Sequence, residues 1–339
     1  MNTKPTRQSL MKKYFTPEVE TLLADVRAPN GFTVFDAVRS GVENPDSSVG
    51  VYAGNEESYS LFAPLFNPVI TEYHKYDIAG LHKTDLNPKH LVADALDPEG
   101  KYIVSTRIRV GRNLKGYAFA PAISQQDRLE VESKIVEALK CLEGDLSGVY
   151  YPLATMDEET RLQLVSDHFL FKKGDRFLES AGANRNWPEA RGIFHSADKR
   201  FLVWVNEEDQ LRIISMQPGG GLQEVFTRLA RAITSLEKKL TFASTEHLGY
   251  LSSCPTNLGT AMRASVHIKL PKLAENEDAL KEVCAPLNLS VRGVDGEHSE
   301  SKGGIYDISN KQRLGLSEVD AVNILAQGVR ELIAREENA

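Results

Sequence analysis

The chain has 339 residues, 41% of them hydrophobic, and a formal net charge of -7 at pH 7. This length and composition are enough to bury a core in two domains or in one large one. An acidic chain offers no extended basic surface, which argues against nucleic acid as a partner. No apolar stretch reaches the roughly 18 to 20 residues that span a bilayer, and residues 1–7 lack the apolar segment of a signal peptide. We therefore expect a cytoplasmic protein with no membrane partner.

Cysteine usage agrees with a reducing compartment. Cys141, Cys254 and Cys284 are too few and too scattered for a disulfide framework or a zinc site. We expect reduced thiols and no metal centre built from protein ligands.

The N-terminal part has the pattern of a small helical domain. Thr16 and Pro17 are typical of a helix start, because threonine caps free amides and proline fits the first helical position. A second short helix is predicted from Val34 to Ser40, ending at Gly41. A polar segment with a proline (HKTDLNPK) then indicates a linker. The predicted division is a helical domain over 1–83, a linker over 84–96 and a larger domain over 97–339.

Arginines alternate with apolar residues in the strands predicted for the larger domain. In residues 103–110, a period of two places Ser105, Arg107 and Arg109 on one face and Val104, Ile108 and Val110 on the other. Residues 263–270 repeat the pattern, with Arg263, Ser265 and His267 on the polar face. Arg292 closes a similar alternation, and Arg212 lies in a more continuously apolar run.

The remaining elements of the larger domain complete an α+β fold. Residues 201–205 and 211–216 flank a polar tip, Asn206 to Gln210, which is typical of an antiparallel hairpin. Glycines 219–221 precede an amphipathic helix, and Ser317 is the predicted N-cap of a final helix. The predicted architecture is a small N-terminal all-helical domain, followed by a larger domain with a mainly antiparallel sheet flanked by helices.

The five arginines at 107, 109, 212, 263 and 292 would form a phosphate clamp if they faced one site. Guanidinium groups bind phosphate oxygens bidentately and keep their charge. The alternative, that each is a solvated or salt-bridged residue of the sheet, stays open at this point.

Three other segments carry candidate chemistry, each with a structural alternative. The acidic tip with Glu207 and Glu208 is either part of a site or a solvated turn. The polar loop over 292–304 is either a lid over substrate or a disordered linker. Cys254 precedes Pro255 at the predicted start of a turn or helix, where backbone amides lower the pKa of a thiol and favour the thiolate. A buried structural cysteine is the common alternative.

The phosphate-loop motif and the protein-kinase motifs are absent from the sequence.

At these segments the sequence resembles the phosphagen (guanidino) kinases. The resemblance rests on residues 254–260 (CPTNLGT), 203–209 (VWVNEED), 105–109 (STRIR), 191–195 (RGIFH) and 296–298 (GEH). It implies reversible transfer of the γ-phosphoryl group of MgATP to a guanidine, with Mg²⁺ held mainly by the nucleotide and water, and Glu207 acting on it through water. The implied partners are ATP and L-arginine, and a homodimer is compatible with the family.

The resemblance also implies roles for individual residues. Glu208 and Glu297 would grip the guanidine, with Cys254 as a thiolate beside it, while the five arginines bind the phosphates. His195 and His267 would line the nucleotide pocket. Residues 46–52 (DSSVGVY) resemble the specificity loop of family members that take free arginine, as does Tyr73 after it. The backbone amides of Ser47, Ser48, Val49 and Gly50 and the Tyr52 hydroxyl would then bind the carboxylate end of arginine.

One residue departs from that pattern, and several functional alternatives stay open. Ser48 stands where glycine is more usual, and it would be strained if the position needs a positive φ. The alternatives are a kinase for creatine, taurocyamine, glycocyamine or lombricine, a protein-arginine kinase, and a catalytically silent nucleotide-binding protein.

Overall fold

The computed structural model describes residues 8–93, 96–275, 277–293 and 303–339. Its α-helices are Leu10–Tyr14 (α1), Pro17–Leu23 (α2), Val34–Glu43 (α3), Ser58–Leu61 (α4), Ala63–His74 (α5), Gln125–Leu139 (α6), Glu158–Ser166 (α7), Arg176–Ser180 (α8), Leu222–Glu237 (α9), Glu277–Cys284 (α10) and Glu318–Asn338 (α11). Its strands are Ile103–Arg112 (β1), Gly148–Pro152 (β2), Gly192–Ser196 (β3), Phe201–Val205 (β4), Leu211–Pro218 (β5), Ser244–Thr245 (β6), Gly249–Tyr250 (β7), Met262–Lys269 (β8), Leu289–Gly293 (β9) and Ile305–Asn310 (β10).

Within the described ranges, eight strands form one sheet in the order β2-β3-β4-β5-β1-β8-β10-β9. Each neighbouring pair is antiparallel. The predicted hairpin is confirmed, because β4 pairs with β5 from Phe201 opposite Ser215 to Val205 opposite Leu211. A small N-terminal helical domain with a larger, mainly antiparallel α+β domain is therefore the fold, as the sequence predicted.

Helices cover one face of this sheet and form the main core. Ile108, Val203, Ile213 and Val266 point to that face, where they pack with apolar residues of α6, α9 and α11. On the other face a smaller cluster around Trp204 covers β3 to β5. The part of that second face formed by β1, β8, β9 and β10 carries the polar side chains.

The N-terminal helices pack around a second core that the larger domain completes. Thr16 caps α2 with Pro17 in its first turn, as predicted, and Thr33 forms a capping box with Asp36 at the start of α3. Residues from the larger domain join this core: Phe119, Ala243, Leu251, Leu258 and Leu314. The helical unit therefore rests directly on the loops around Cys254.

The predicted end of α3 is wrong. The helix runs through Gly41 to Glu43, because Gly41 serves close packing and not termination. A Cβ at Gly41 would lie 2.5 Å from the carbonyl oxygen of Gly50. The glycine thus lets α3 contact the loop over residues 46–52, which bears the candidate substrate-binding groups.

The predicted orientation of Val104 is also wrong. Val104 is 48% exposed, whereas Ile103 is 4% exposed. A register irregularity between Ile103 and Ser105 in the pairing of β1 with β8 interrupts the alternation there. Beyond it, the predicted faces of β1 are confirmed, with Ile108 and Val110 fully buried.

The linker and boundaries predicted at 84–96 stay a prediction. In the described part of the chain, no helix combines the length and the apolar character that a membrane crossing needs.

Candidate active site

The pairing of the strands brings the predicted arginines onto one face of the sheet. Arg109 on β1 lies directly opposite Arg263 on β8. Arg212 on β5 lies opposite Gly111, two residues after Arg109. Directly opposed residues point to the same face, so these side chains and that of Arg107 share the face away from the main core. Arg292 on β9 joins them through Asp307 of β10, which is paired both with it and with His267.

Arg107 and Arg109 have no ion-pair partner in the described part of the chain. The Nε and Nη2 atoms of Arg107 are buried without a hydrogen bond. Burial and the charges of Arg212 and Arg263 lower the pKa of Arg107 to about 10. Burial, together with the charges of Arg212 and Arg107, holds the pKa of Arg109 well below its ordinary value. The fold thus places Arg107 and Arg109 beside other cations with no carboxylate paired to either of the two, an arrangement that an anionic ligand would relieve.

Arg212 and Arg263 do have carboxylate partners. Arg212 contacts Glu207 Oε2 through Nη1 at 2.8 Å and Glu208 Oε2 through Nη2 at 2.5 Å. Burial alone would lower the pKa of Arg212, but these two carboxylates outweigh it and the net shift is upward. Arg263 Nη2 lies 2.6 Å from Asp307 Oδ2.

A buried aspartate joins the hairpin tip to the Cys254 loop. Asp209 accepts hydrogen bonds from Asn113 Nδ2 at 2.7 Å, from Ser252 Oγ at 2.8 and 2.9 Å, and from the Ser253 amide at 3.1 Å. Burial and the charge of Glu208 raise its pKa to about 6. Ser253 Oγ also donates to the Glu208 carbonyl at 3.1 Å. The positions of Glu208 and Cys254 are therefore fixed relative to each other.

Cys254 lies at the start of a 3₁₀ turn, Pro255–Asn257, as the proline after it predicted. Its sulfur is 3.1 Å from Thr256 Oγ1. The expected shift toward thiolate is not what this structure gives: burial and the charge of Glu208 raise the pKa of Cys254 to about 12, although hydrogen bonds from Thr256 oppose the rise. The free protein thus holds Cys254 as a thiol at neutral pH.

The N-terminal loop over residues 46–52 reaches this site. Tyr52 packs in one cluster with Cys254. Burial raises the pKa of Tyr52 well above its usual range, and the charges of Cys254 and Glu208 contribute to the rise. The Ala53 amide donates to the Ser253 carbonyl at 2.7 Å, which fixes the loop to the larger domain.

The conformation of this loop resolves the question of Ser48. The left-handed backbone is at Gly50, with φ 78°, and Ser48 is not among the residues with positive φ. Ser48 is therefore unstrained. Its carbonyl and that of Val49 accept hydrogen bonds from the amides of Leu10 and Met11 at 3.1 and 2.8 Å, which places both carbonyls toward α1.

Comparison with known proteins identifies the family. The model of the ATP:guanido phosphotransferase C-terminal catalytic domain matches residues 130–339, and that of the N-terminal domain matches residues 5–71. The chain belongs to the ATP:guanido phosphotransferase family. It is accordingly a phosphotransferase that uses ATP and a guanidino acceptor.

Relatives within the family include arginine kinases. An arginine kinase of Anthopleura japonica is 54% identical over 338 residues, which are 98% of this chain and 47% of that protein. Arginine kinase Lit v 2.0101 of Penaeus vannamei is 53% identical, over 97% of this chain and 93% of its own length. This chain therefore spans about half of the first relative and nearly all of the second.

Solved structures of the family have the same fold. The substrate-free duplicated taurocyamine kinase of Schistosoma mansoni matches with a TM-score of 0.92 and 43% identity, over 99% of this chain and 48% of that one. A lombricine kinase matches with a TM-score of 0.92 and 38% identity, over 98% of this chain and 93% of that one.

The structure does not bring all predicted site residues of this phosphotransferase together. Glu297 and most of the proposed lid (residues 294–302) lie outside the described residues. His195 on β3 is stacked on Tyr151 at 5.0 Å, and β4 and β5 separate it from Arg109 on β1. Its place in the nucleotide pocket, like the individual roles of the other site residues, stays a prediction.

Two polar residues near the arginines were missed in the sequence. Asp307 lies among Arg263, His267 and Arg292, and an aspartate inside an apolar strand was the available signal. His168 is in the loop after α7, with φ 60°. Burial lowers the pKa of His267, and the charges of Arg263, Arg107 and His168 lower it further, while that of Asp307 opposes the shift. No local pattern marks a loop histidine of this kind.

No group of three or more histidine, cysteine, aspartate or glutamate side chains within the described ranges is arranged to hold a metal ion. Glu207 lies beside the arginine face, and its carboxylate is paired with Arg212.

The Asp209 network allows a stability prediction. Asp209→Ala should lower the free energy of unfolding at pH 7 by about 2 to 4 kcal/mol, because it leaves the buried donors of Asn113, Ser252 and Ser253 unpaired. Asp209→Asn is the matched control and should change that free energy by less than about 1 kcal/mol. Its remaining oxygen can keep three donors, and its new amide can donate to Ser252 Oγ. Urea unfolding followed by fluorescence measures both variants, and equal losses would contradict the network.

The same pair of proteins tests the raised pKa of Asp209. Between its ordinary pKa of 3.8 and about 6, the folded state binds a proton that the unfolded state has lost. The contribution of Asp209 to stability should therefore decrease as pH rises through this window. The unfolding free energy of the parent relative to Asp209→Asn should fall from pH 4 to pH 6, and a constant difference would contradict the shift.

Proposed function

We propose that this chain is an arginine kinase, which transfers the γ-phosphoryl group of ATP reversibly to the guanidino nitrogen of free L-arginine, giving phosphoarginine and ADP. The observation that carries the proposal is that Tyr52, from the N-terminal unit, packs with Cys254, whose loop is hydrogen-bonded to Glu208 beside the arginine face. A site for a small guanidine lies there next to a site for polyphosphate. The arginine kinases among the relatives support the same substrate.

The arginine face supplies the nucleotide site. Arg107, Arg109 and Arg263 would contact phosphate oxygens and neutralise the charge that spreads over the transferred group. Mg²⁺, brought by the nucleotide, would supply further charge neutralisation between phosphates. We propose that it is held mainly by the nucleotide and water, with Glu207 acting through water.

Binding of the two substrates exchanges ionic partners at Arg212. In the free protein the Arg212 guanidinium forms an ion pair with the Glu208 carboxylate at 2.5 Å. When phosphate oxygens take Arg212, Glu208 becomes available to the guanidinium of the substrate, which has the same shape and charge. Glu208 would then align the reacting nitrogen and accept its proton. In this proposal Glu297 is the second carboxylate that binds the guanidinium.

Cys254 would respond to the same substrate. Its thiol is neutral in the free protein because burial and Glu208 disfavour the thiolate. A guanidinium between Glu208 and the sulfur would neutralise the charge of the Glu208 carboxylate and stabilise a thiolate on Cys254. Both effects lower the pKa of the thiol. Cys254 then pairs with the substrate cation and forms no bond to phosphorus.

Backbone amides at the other end of the pocket favour an amino acid. The amides of Ser48, Val49 and Gly50 donate no hydrogen bond to any described group. Because α1 binds the carbonyls of Ser48 and Val49, the amides are held in place as donors for a carboxylate. The Ser47 amide is already bonded to the Asn44 carbonyl at 3.0 Å, which leaves its hydroxyl as the group this residue can offer.

Free L-arginine should therefore be a better acceptor than creatine by at least about 100-fold in kcat/KM. Creatine is shorter, so it would leave the amides of Val49 and Gly50, two buried residues, unpaired at about 1 to 3 kcal/mol each. The measurement is a coupled assay of ADP release with arginine, creatine, taurocyamine and lombricine under one set of conditions. ATP hydrolysis without acceptor is the control. Equal or reversed values for arginine and creatine would contradict the proposal.

The same assay separates the remaining alternatives. Transfer to an arginine-rich protein but not to free arginine would identify a protein-arginine kinase. Nucleotide binding without transfer to any acceptor would identify a silent binding protein. The cytoplasmic location and the homodimer stay predictions.

A further inference from the structure

Asn206, the first residue of the hairpin tip, has an unusual backbone. Its φ is 58°, in the left-handed region that asparagine tolerates better than most residues. Its amide donates to the Gln210 carbonyl at 2.9 Å, closing the tip that carries Glu207 and Glu208. The backbone direction at Asn206 therefore decides where the two glutamates leave β4.

The side chain of Asn206 is attached to two elements behind the tip. It is 5% exposed, and its Nδ2 donates to the Ala190 carbonyl at 2.7 Å and to the Arg128 carbonyl of α6 at 3.2 Å. Both hydrogens of the amide are thus used. Neither acceptor belongs to β4 or β5, so the bonds fix the tip relative to the rest of the domain.

The support behind Asn206 is itself buried and polar. Arg128 and Arg191 are 2% and 1% exposed. Both guanidinium groups donate to the Arg185 carbonyl, at 2.5 and 3.1 Å. Ala190, which precedes Arg191, has φ 55°, a conformation that costs energy for alanine. The strained backbone at Ala190 thus places its carbonyl where it accepts the hydrogen bond from the Asn206 side-chain amide.

We infer that Asn206 is a positioning residue for phosphoryl transfer: its left-handed backbone and two amide hydrogen bonds set the direction in which Glu208 approaches the guanidine. The inference rests on the proposed function. The ladder between β4 and β5 already fixes the hairpin, with Trp204 opposite Arg212 and Val205 opposite Leu211. The Asn206 side chain is therefore not needed to form the hairpin, only to orient its tip.

Two variants separate the side chain from the backbone. Asn206→Gly keeps the left-handed conformation accessible and removes both amide bonds. We expect kcat to fall about 10- to 100-fold, since a shift of about 1 Å in a reacting group has that effect, while KM for ATP stays within about threefold. Asn206→Asp keeps the shape but faces two carbonyl oxygens with a carboxylate, so its kcat should be lower still.

Asn288→Gly is the matched control. Asn288 also has a left-handed backbone, φ 51°, and lies exposed in the loop before β9. Its replacement should leave kcat within about twofold. Thermal melting of all variants checks that each is folded; if Asn206→Gly does not fold, Asn206→Asp takes its place in the next measurement.

A double-mutant cycle with Glu208→Gln gives the deciding result. If Asn206 acts through Glu208, then Asn206→Gly should cost about threefold or less in the Glu208→Gln background, far below its cost in the parent. Losses that multiply would overturn the inference. The cycle uses whichever guanidino acceptor the parent phosphorylates, so a wrong assignment of arginine leaves it intact. A parent inactive with every acceptor would overturn both the function and the inference.

Discussion

Replacing Glu208 with glutamine should lower turnover with arginine by about 10²- to 10⁴-fold, the range of a positioned acid–base group. Glutamine keeps the size of the side chain but can neither accept the proton nor attract the guanidinium as a carboxylate does. Nucleotide affinity should stay within about threefold, because Arg212 retains Glu207 at 2.8 Å and the other arginines are unchanged. Steady-state kinetics and calorimetry with ADP measure the two quantities.

Glu207→Gln is the matched control for this prediction. Both glutamates contact Arg212, but the charge near Cys254 is that of Glu208. We expect Glu207→Gln to lower turnover less and to raise the Mg²⁺ concentration needed for half-maximal activity. A Glu208→Gln variant within threefold of the parent, or one less impaired than Glu207→Gln, would show that the guanidine-binding carboxylate has been misassigned.

The strands and their arginine face could be predicted because the responsible signals are local. Alternation at Arg107, Ile108 and Arg109 survives folding, since every second residue of a strand faces the same way. The caps at Thr16 and Ser317 are equally local and are confirmed. To predict that the five arginines converge on one site, the order of the strands in the sheet must also be known, and the alternation within each strand does not give that order.

The misplaced details depend on contacts between distant segments. Gly41 was interpreted as a helix end because glycine favours termination, but the helix continues since Gly50 packs against it. Val104 turned outward because pairing with β8 becomes irregular at that point. Asp209 gave no signal of its own, since the donors around it come from Asn113 and from residues 252–253.

Cys254 shows why the turn around a residue can be predicted from the sequence while the pKa of that residue in the free protein cannot. The proline after it does begin a turn, and amides do lie near the sulfur. The position of Glu208 beside the thiol, set by the Asp209 network, reverses the sign of the pKa shift. The interactions that lower the thiol pKa come from residues next to Cys254 in the sequence. The burial and the Glu208 charge that raise it come from the tertiary structure.

Arg109→Leu should make the free protein more stable and nearly abolish its activity. Arg109 is held among Arg107, Arg212 and Arg263 with no carboxylate partner in the described part of the chain, and its lowered pKa reflects burial and these like charges. Replacing such a cation with an apolar residue removes both costs, so the free energy of unfolding should rise by about 1 to 2 kcal/mol. Turnover should fall about 10³-fold or more, because a phosphate-binding arginine stabilises the transition state.

A phosphate ligand should reverse the order of stability between the two proteins. Inorganic tripolyphosphate supplies the missing counter-charge, so it should raise the melting temperature of the parent more than that of Arg109→Leu. Arg231→Leu is the control, since Arg231 is half-exposed on α9, where it contacts Asp145 on the opposite side of the sheet. It should change stability by at most about 1 kcal/mol and leave turnover unchanged. Destabilisation by Arg109→Leu, or equal shifts with tripolyphosphate in both proteins, would mean that the arginine face is not held under charge repulsion for a polyphosphate ligand.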